Sequence, residues 1–321
     1  MNIRRKRVKS STLNVIAVVV FAITCSLKPS AANASEFTPT GCAEENAVQI
    51  LGSGGPIPDD DRASAAYLLW VDGSSKLLID AGGGTFLRFG EVGASIEELD
   101  HIGITHFHTD HAGDLPELVK GGYFSSRRRA LSISGPTGQG PFPSLEQFLN
   151  RLFSPSLGAY AYLSDVLIDG GDLFQLQPSE VSHVQSNREV VYQDPKIRVE
   201  AISVAHGPVP ALAYVVLMEN SKIVFSGDQS GANAFFWKAA EGAELLIMDH
   251  AIPQDASRIA SNLHARPSEI GEAAARANIK HLVLSHLMNR SLTKLNQTKE
   301  LISTRFKGKL SVGTDLQCLA W

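Results

Sequence analysis

From residue 47 onward the chain is a succession of short apolar runs separated by small or polar residues, most of them strand-length. "AVQIL" (47–51) runs into the glycine turn "GSGGP", and "AAYLLWV" and "KLLID" flank "DGSS", which predicts a hairpin. "AGGGT" follows, where only small residues let the backbone turn tightly beneath a site. "DHIGIT" predicts a short strand and "GDLPELVKGGYF" a helix after it. Residues 136–185 are the least periodic stretch, with "LEQFLNRLF" and "GAYAYLSDVL" reading as helical. The second half repeats the theme. "IRVEAISVAHG", "ALAYVVLME", "KIVFSGD", "AELLIMDH" and "KHLVLSH" predict strands, and "PSEIGEAAARANI" predicts a helix opened by proline and acid. Strands alternating with helices in both halves predict two βα-rich halves, each a mixed sheet covered by helices, in one domain over 35–321.

The first 34 residues break this pattern. A basic start, "MNIRRKRVK", is followed by the apolar run "LNVIAVVVFAIT" and by the small residues "AANA", the layout of a secretory signal peptide cleaved after Ala34. Such a run is short for a membrane span, so the expectation is an exported protein, periplasmic or secreted, with no span after cleavage. The whole chain carries 29 Lys and Arg against 33 Asp and Glu; six of the basic residues lie in the leader, so cleavage leaves 23 against 33, a net −10. A net-acidic surface has no broad attraction for a polyanion, and a long nucleic acid is not expected as a partner. Cys42 and Cys318, near opposite ends of the mature chain, could pair in an oxidising compartment; the alternative is two unlinked buried thiols.

"IGITHFHTDH" (102–111) packs three of the ten histidines and an aspartate into one short piece of backbone. His106, His108, Asp110, His111, His206, Asp228 and His286 all sit at or just past the ends of predicted strands, where ligands collect in α/β sheets. His106 and His108 leave an extended backbone on the same side. Imidazole with carboxylate suits zinc and related first-row metals, and seven such groups fit two ions sharing a bridge.

"THFHTDH" resembles the HxHxDH signature of the metallo-β-lactamase superfamily, and "ILGSGGPIP", "LLIDAGGGT", "AHGPVPALAYVV", "VFSGD" and "LSHL" resemble its other blocks in the same order. The resemblance covers about residues 46–320. It is closest to the ribonuclease Z-like branch and, within that, to secreted arylsulfatases of this fold. It implies an αββα sandwich with two metals at one edge, zinc by ligand type, with manganese or iron as alternatives. One metal would be held by His106, His108 and His206, a second by Asp110, His111 and His286, and Asp228 would bridge them. His264, in "SNLHARPSEIGEAA", resembles a branch histidine that pairs with an acid near the metals and protonates the leaving group; Asp110 is the acid this reading assigns. Asp80 resembles an aspartate that orients metal ligands, though a turn-capping aspartate fits its context nearly as well.

Several other residues carry less. His250 follows a strand and reads as structural more than pocket-lining, and His101, His183 and His281 read as packing or surface residues. Ser226 lacks a base, and "GSGGP" lacks the lysine of a phosphate-binding loop. "SSRRR" (125–129) reads as a solvated face, with a lip for anionic substrates as the alternative.

The expected activity is thus an exported, dinuclear hydrolase of small anionic esters, with an aryl sulfate first and a phosphodiester such as a cyclic nucleotide second. A lactonase is a further alternative. A metal- or ligand-binding protein without catalysis is the alternative from another class, and a homodimer is compatible with all of them.

Overall fold

The computed structural model describes residues 40–42, 44–169, 171–184 and 188–321. The leader expected over 1–34 lies outside the described residues. The apolar runs become β1 (Ala47–Gly52), β2 (Ala66–Val71), β3 (Ser74–Ile79), β4 (His101–Gly103), β5 (Leu131–Pro136), β6 (Leu176–Val181), β7 (Arg188–Gln193), β8 (Arg198–His206), β9 (Val209–Met218), β10 (Ser221–Phe225), β11 (Leu245–Asp249), β12 (His281–Ser285), β13 (Lys309–Val312) and β14 (Cys318–Ala320). They form two seven-stranded sheets, ordered β14-β1-β2-β3-β4-β5-β6 and β13-β12-β11-β10-β9-β8-β7. In each sheet an antiparallel run passes into a parallel one: β3 to β6 in the first, β10 to β13 in the second. The expected "DGSS" hairpin joins β2 to β3, with Asp72 at φ 52° and Gly73 at φ 71°, the positive angles a tight β-turn demands.

The helices are α1 (Thr85–Glu91), α2 (Thr109–Ala112), α3 (Leu115–Tyr123), α4 (Leu145–Phe153), α5 (Ala234–Ala240), α6 (Arg258–Ser261), α7 (Pro267–Arg276), α8 (Asn289–Leu292) and α9 (Leu295–Arg305), with a 3₁₀ turn over Ala161–Leu167. The "GAYAYLSDVL" stretch therefore winds as 3₁₀ helix. At the start of α7, Glu269 accepts from the Arg266 N–H at 2.9 Å and Pro267 takes a position needing no donor.

Apolar layers show why the sequence stacks this way. Val48, Ile50, Leu69, Leu77 and Ile79 of the first sheet meet Val199, Leu212, Val216, Phe225, Ile247 and Val283 of the second in a layer between the sheets. The opposite face of the first sheet packs on α1, α3 and α4 through Leu68, Leu78, Phe89, Leu118 and Leu149, and that of the second on α5, α7 and α9 through Val204, Val215, Phe236, Ile270 and Ile302. Both faces of each sheet are covered, which is why most of the strands read as continuous apolar runs without alternation. Each fully buried side chain of this kind contributes roughly 1.5–3 kcal/mol. The result is the expected αββα sandwich.

Polar ties cross between the sheets, among them Tyr67 Oη donating to Ser285 Oγ at 2.9 Å and Tyr214 Oη reaching the Ile104 carbonyl at 3.1 Å and Ser134 Oγ at 2.9 Å. Cys42 and Cys318 are joined in a disulfide with a Cα–Cα separation of 5.6 Å, which ties the segment ahead of β1 to β14. Among the described residues no helix is long and apolar enough to cross a membrane.

Candidate metal centre

All the candidate ligands gather at one edge of the sandwich, because each follows a strand that ends there. β4 ends at Gly103 and delivers His106 and His108; α2 then turns Asp110 and His111 back over the same edge. His206 is the last residue of β8, Asp228 follows β10 and His286 follows β12. His286 adopts φ 51° and Asp80 φ 61°, left-handed conformations that bend the chain just past a strand end.

Two triads result. The ligand atoms of His106, His108 and His206 lie within 4.8 Å of one another, and so do those of Asp110, His111 and His286. In the second triad Asp110 Oδ2 is 3.2 Å from His286 Nε2 and 3.6 Å from His111 Nε2. Asp228 lies between the two. Its Oδ1 is 3.4 Å from His286 Nε2 and 3.5 Å from His111 Nε2, whereas its Oδ2 is 3.8 Å from His206 Nε2. The structure thus brings all seven predicted residues together; the two groups the resemblance implies are among the compact sets, and so are His106 with His111 and Asp228, and His206 with Asp228 and His264.

The orienting residues are as informative as the ligands. Asp80 accepts three hydrogen bonds, from the Thr105 N–H at 2.7 Å, Thr105 Oγ1 at 2.9 Å and His111 Nδ1 at 2.8 Å. This fixes the His111 tautomer, leaving Nε2 to face the site. His206 Nδ1 donates to the Leu263 carbonyl at 2.9 Å and likewise turns Nε2 inward. Asp80 is therefore an orienting aspartate as well as a turn residue.

The donor set fits divalent cations. His111 Nε2 and Asp228 Oδ1 are buried and have no hydrogen-bond partner, a costly state for polar atoms unless a cation claims them. Burial holds His106 well below the usual imidazole range and lowers His206 to about 4. Both are therefore neutral, as metal binding requires. His111 and His286 go the other way: burial would lower them, but the carboxylates of Asp228, Asp80 and Asp110 outweigh it and hold both raised. Asp228 is held well below the usual carboxylate range, against its burial, by His286 and His111. The negative charge that retains protons on these imidazoles would equally attract a dication.

His264 is where the sequence reading needs correction. Its Nδ1 lies 2.9 Å from Asp249 Oδ2, so its acid is Asp249 and not Asp110, which α2 commits to His286 and His111. Asp249 is the last residue of β11 and is fully buried; burial raises its pKa while the His264 hydrogen bond lowers it. With Nδ1 donating to Asp249, the other nitrogen of His264 is left for the cleft. Strand alternation explains the pair at 249–250: Asp249 points to the site and His250 away from it, its Nε2 3.2 Å from Thr298 Oγ1 on α9. The sequence marks Asp249 as an acid ending a strand, but its pairing with His264 is set only by packing.

Other candidates resolve as structural. His101 sits between Ser132 Oγ and Ser134 Oγ, both at 2.9 Å, and His281 meets Ser311 Oγ at 2.7 Å. His183 meets Thr137 Oγ1 at 2.8 Å. Ser226 Oγ accepts from the Asp249 N–H and donates to the Gly227 carbonyl. The "SSRRR" run is a solvated face except at Arg127: Ser126, Arg128 and Arg129 are exposed, Arg129 pairing with Asp100 at 2.5 Å, whereas Arg127 is buried and donates to the carbonyls of Ile96, Leu99 and Ala130.

In front of the ligands opens a cleft of about 450 Å³. Its floor is His108, Asp110, His206, Asp228, His264 and His286, and its apolar wall is Pro56, Phe107, Leu263 and Met288. Arg290 also lines it; its Nε donates to the Ala251 carbonyl at 2.7 Å, and no acid pairs with the guanidinium among the described residues.

Known proteins share this fold. Ribonuclease Z of Mycolicibacterium gilvum is 27% identical over 281 residues, covering 84% of this chain and 94% of that protein. Human tRNase Z, short form, superposes with a TM-score of 0.67 at 22% identity, covering 85% of this chain and 98% of the other. The metallo-beta-lactamase fold protein YhfI from Bacillus subtilis gives a TM-score of 0.65 at 20% identity, covering 86% and 100%. The sequence profile of the metallo-beta-lactamase superfamily matches residues 59–270, a span that holds every candidate ligand except His286, which the fold itself returns to the site. The chain belongs to the metallo-beta-lactamase superfamily, a family of metal-dependent hydrolases, and its likeness runs to the ribonuclease Z-like branch.

Proposed function

We propose that this protein is a phosphodiesterase that uses two divalent metal ions, one held by His106, His108 and His206, the other by Asp110, His111 and His286, with Asp228 shared. The observation that carries this reading is Asp228 reaching both triads beside His264, whose Nδ1 is 3.9 Å from Asp228 Oδ2. Ions bound there would acidify a water molecule and polarise a phosphoryl oxygen. The protein's own residues supply the rest. Asp80 and the Leu263 carbonyl keep two imidazoles aimed inward. Asp249 accepts the Nδ1 proton of His264, so that the imidazolium form of the ring carries its second proton on Nε2 and can deliver that proton to the departing oxygen, returning to the neutral imidazole. Arg290 offers a positive charge to an anionic substrate.

A proton donor matters most for a poor leaving group. An alkoxide from a phosphodiester needs protonation; a phenolate from an activated aryl sulfate does not. This chemistry, together with relatives named ribonuclease Z, reverses the order set by the sequence: phosphodiester first, aryl sulfate second. The same relatives weaken the expectation that no long nucleic acid is bound, whereas a cleft of about 450 Å³ suits a small organic group. Zinc is the ion the imidazole-rich donor set favours.

The test is a panel on the zinc-loaded protein from Ser35 onward: bis(4-nitrophenyl) phosphate, a cyclic nucleotide, 4-nitrophenyl sulfate, a lactone and a precursor tRNA. Phosphodiester turnover at least tenfold above sulfate is expected. Sulfate turnover exceeding it would restore the arylsulfatase reading, and two bound metals without turnover of any ester would leave a binding protein. Export belongs to the same proposal, supported by the leader pattern and by the Cys42–Cys318 disulfide, a bond typical of oxidising compartments. A native N-terminus at Ser35 in the exported fraction is expected.

A further inference from the structure

Resting on the phosphodiesterase reading, we infer that Phe107 is a specificity-determining residue, a fixed platform that selects substrates whose organic group is a flat aromatic ring. Phe107 lies between two metal-ligand histidines and is part of the apolar wall of the cleft. Its ring stacks on Phe148 of α4, with centroids 4.6 Å apart and planes inclined by 19°. One face is thus taken by Phe148; the ring is half-buried, and the part of Phe107 left uncovered lines the cleft.

The stack is built into the fold. Gly135, in β5, lies against it: a Cβ there would come 3.1 Å from Phe107 Cζ and 3.3 Å from Leu145 Cδ1, so glycine makes the room in which the ring rests. α4 is anchored by Leu145, Leu149 and Phe153, all buried in the outer core of the first sheet, and is opened by a Ser144–Gln147 capping box, so Phe148 is held on a rigid element. A ring that is already immobilised loses little freedom when a ligand stacks on it. The rest of the wall, Pro56, Leu263 and Met288, carries no charge, while the floor carries the ionisable groups. Such a cleft divides its ligand into a charged centre over the histidines and acids and an apolar group against Phe107. Aromatic rings bury large area and stack offset on one another, which aliphatic groups cannot reproduce.

The experiment separates this from the activity on which it rests, because it reads binding. Phenylphosphonate, methylphosphonate and adenosine 5′-monophosphate are titrated calorimetrically into the zinc-loaded protein, its Phe107→Leu variant, which keeps apolar bulk but no ring, and its Phe107→Tyr variant, which keeps the ring. The expected result is that the phenyl-over-methyl affinity ratio falls about 2- to 10-fold in F107L and is retained in F107Y, the span that a single aromatic pair supports. Adenosine 5′-monophosphate following phenylphosphonate would make the selected ring a nucleobase as well as a simple aryl; indifference to F107L would restrict it to a small aryl group. Equal loss for phenyl and methyl ligands in F107L, or no phenyl preference in the unaltered protein, would overturn the inference. If the phenyl preference depends on Phe107 but no phosphodiester is turned over, the platform stands and the catalytic reading falls.

Discussion

At the level of single residues, the division of labour between His264 and Asp249 is the sharpest consequence of the geometry. His264→Ala removes the proton donor, so turnover of substrates with poor leaving groups should fall by roughly 10²- to 10⁴-fold, with much less effect on nitrophenyl esters. Asp249→Asn keeps size and a hydrogen-bonding oxygen but removes the charge that holds the Nδ1 proton 2.9 Å away. It should produce a smaller loss with the same dependence on leaving group, measured as kcat against leaving-group pKa for a series of phenyl and alkyl diesters. Losses independent of the leaving group would deny His264 that role. The residues most legible in the sequence were those whose chemistry is concentrated: three imidazoles within six positions announce a metal centre. The acid that serves His264 was not legible, because its neighbour 15 positions away becomes a partner only when β11 and the turn after α6 meet. No local pattern records that meeting.

Among the secondary-structure elements, the turn after β3 decides whether α2 can present Asp110 and His111. A Cβ on Gly82 would lie 2.1 Å from the Asp110 carbonyl oxygen and 2.7 Å from Ser64 Cβ, whereas one on Gly83 would meet only Ser64 Oγ at 3.9 Å. Gly82→Ala must therefore push the first turn of α2 away from the sheet edge, and overpacking of this kind costs about 1–3 kcal/mol or more. The expected outcome is a lower Tm and fewer than two zinc ions per chain by mass spectrometry under native conditions, with Gly83→Ala keeping two. Full metal content in both variants would show that the tight turn does not position the ligands. The small residues of "AGGG" pointed to such a turn from the sequence, although which glycine bears the contact depends on a strand and a helix packing together. Helix α9 is illegible in the sequence for a related reason: its buried residues are Thr298 and Ile302, too few to write an apolar stripe. β14, three residues long, is a strand only because β1 offers it an edge.

For the whole molecule, stability is held by a bond and by buried groups that the site does not use. The Cys42–Cys318 disulfide closes a separation of 276 residues, and its loss should cost about 2–5 kcal/mol, lowering Tm by roughly 5–15 °C in a comparison of oxidised and reduced protein. An unchanged Tm would mean that the unfolded chain gains little from release. Acid sensitivity has a separate origin in His101, which is fully buried between Ser132 and Ser134, where burial pushes its pKa down to about 3. In the unfolded chain the same imidazole titrates near 6.5. Between those two values the unfolded state binds a proton that the folded state refuses, so stability rises with pH through that window and is lost as pH falls below about 6.5, by about 1.4 kcal/mol per unit for one such group. Carboxylates held low in the folded state add losses of the same sign, so the profile of the unaltered protein cannot assign the effect. The difference from His101→Gln can. Glutamine keeps a hydrogen-bonding group beside both serines but does not titrate, so the variant should be less stable at pH 7 and its deficit should shrink steadily from pH 6.5 to pH 4.5. Urea unfolding at half-unit intervals measures this, and two parallel stability curves would show that the protonation of His101 is not coupled to folding.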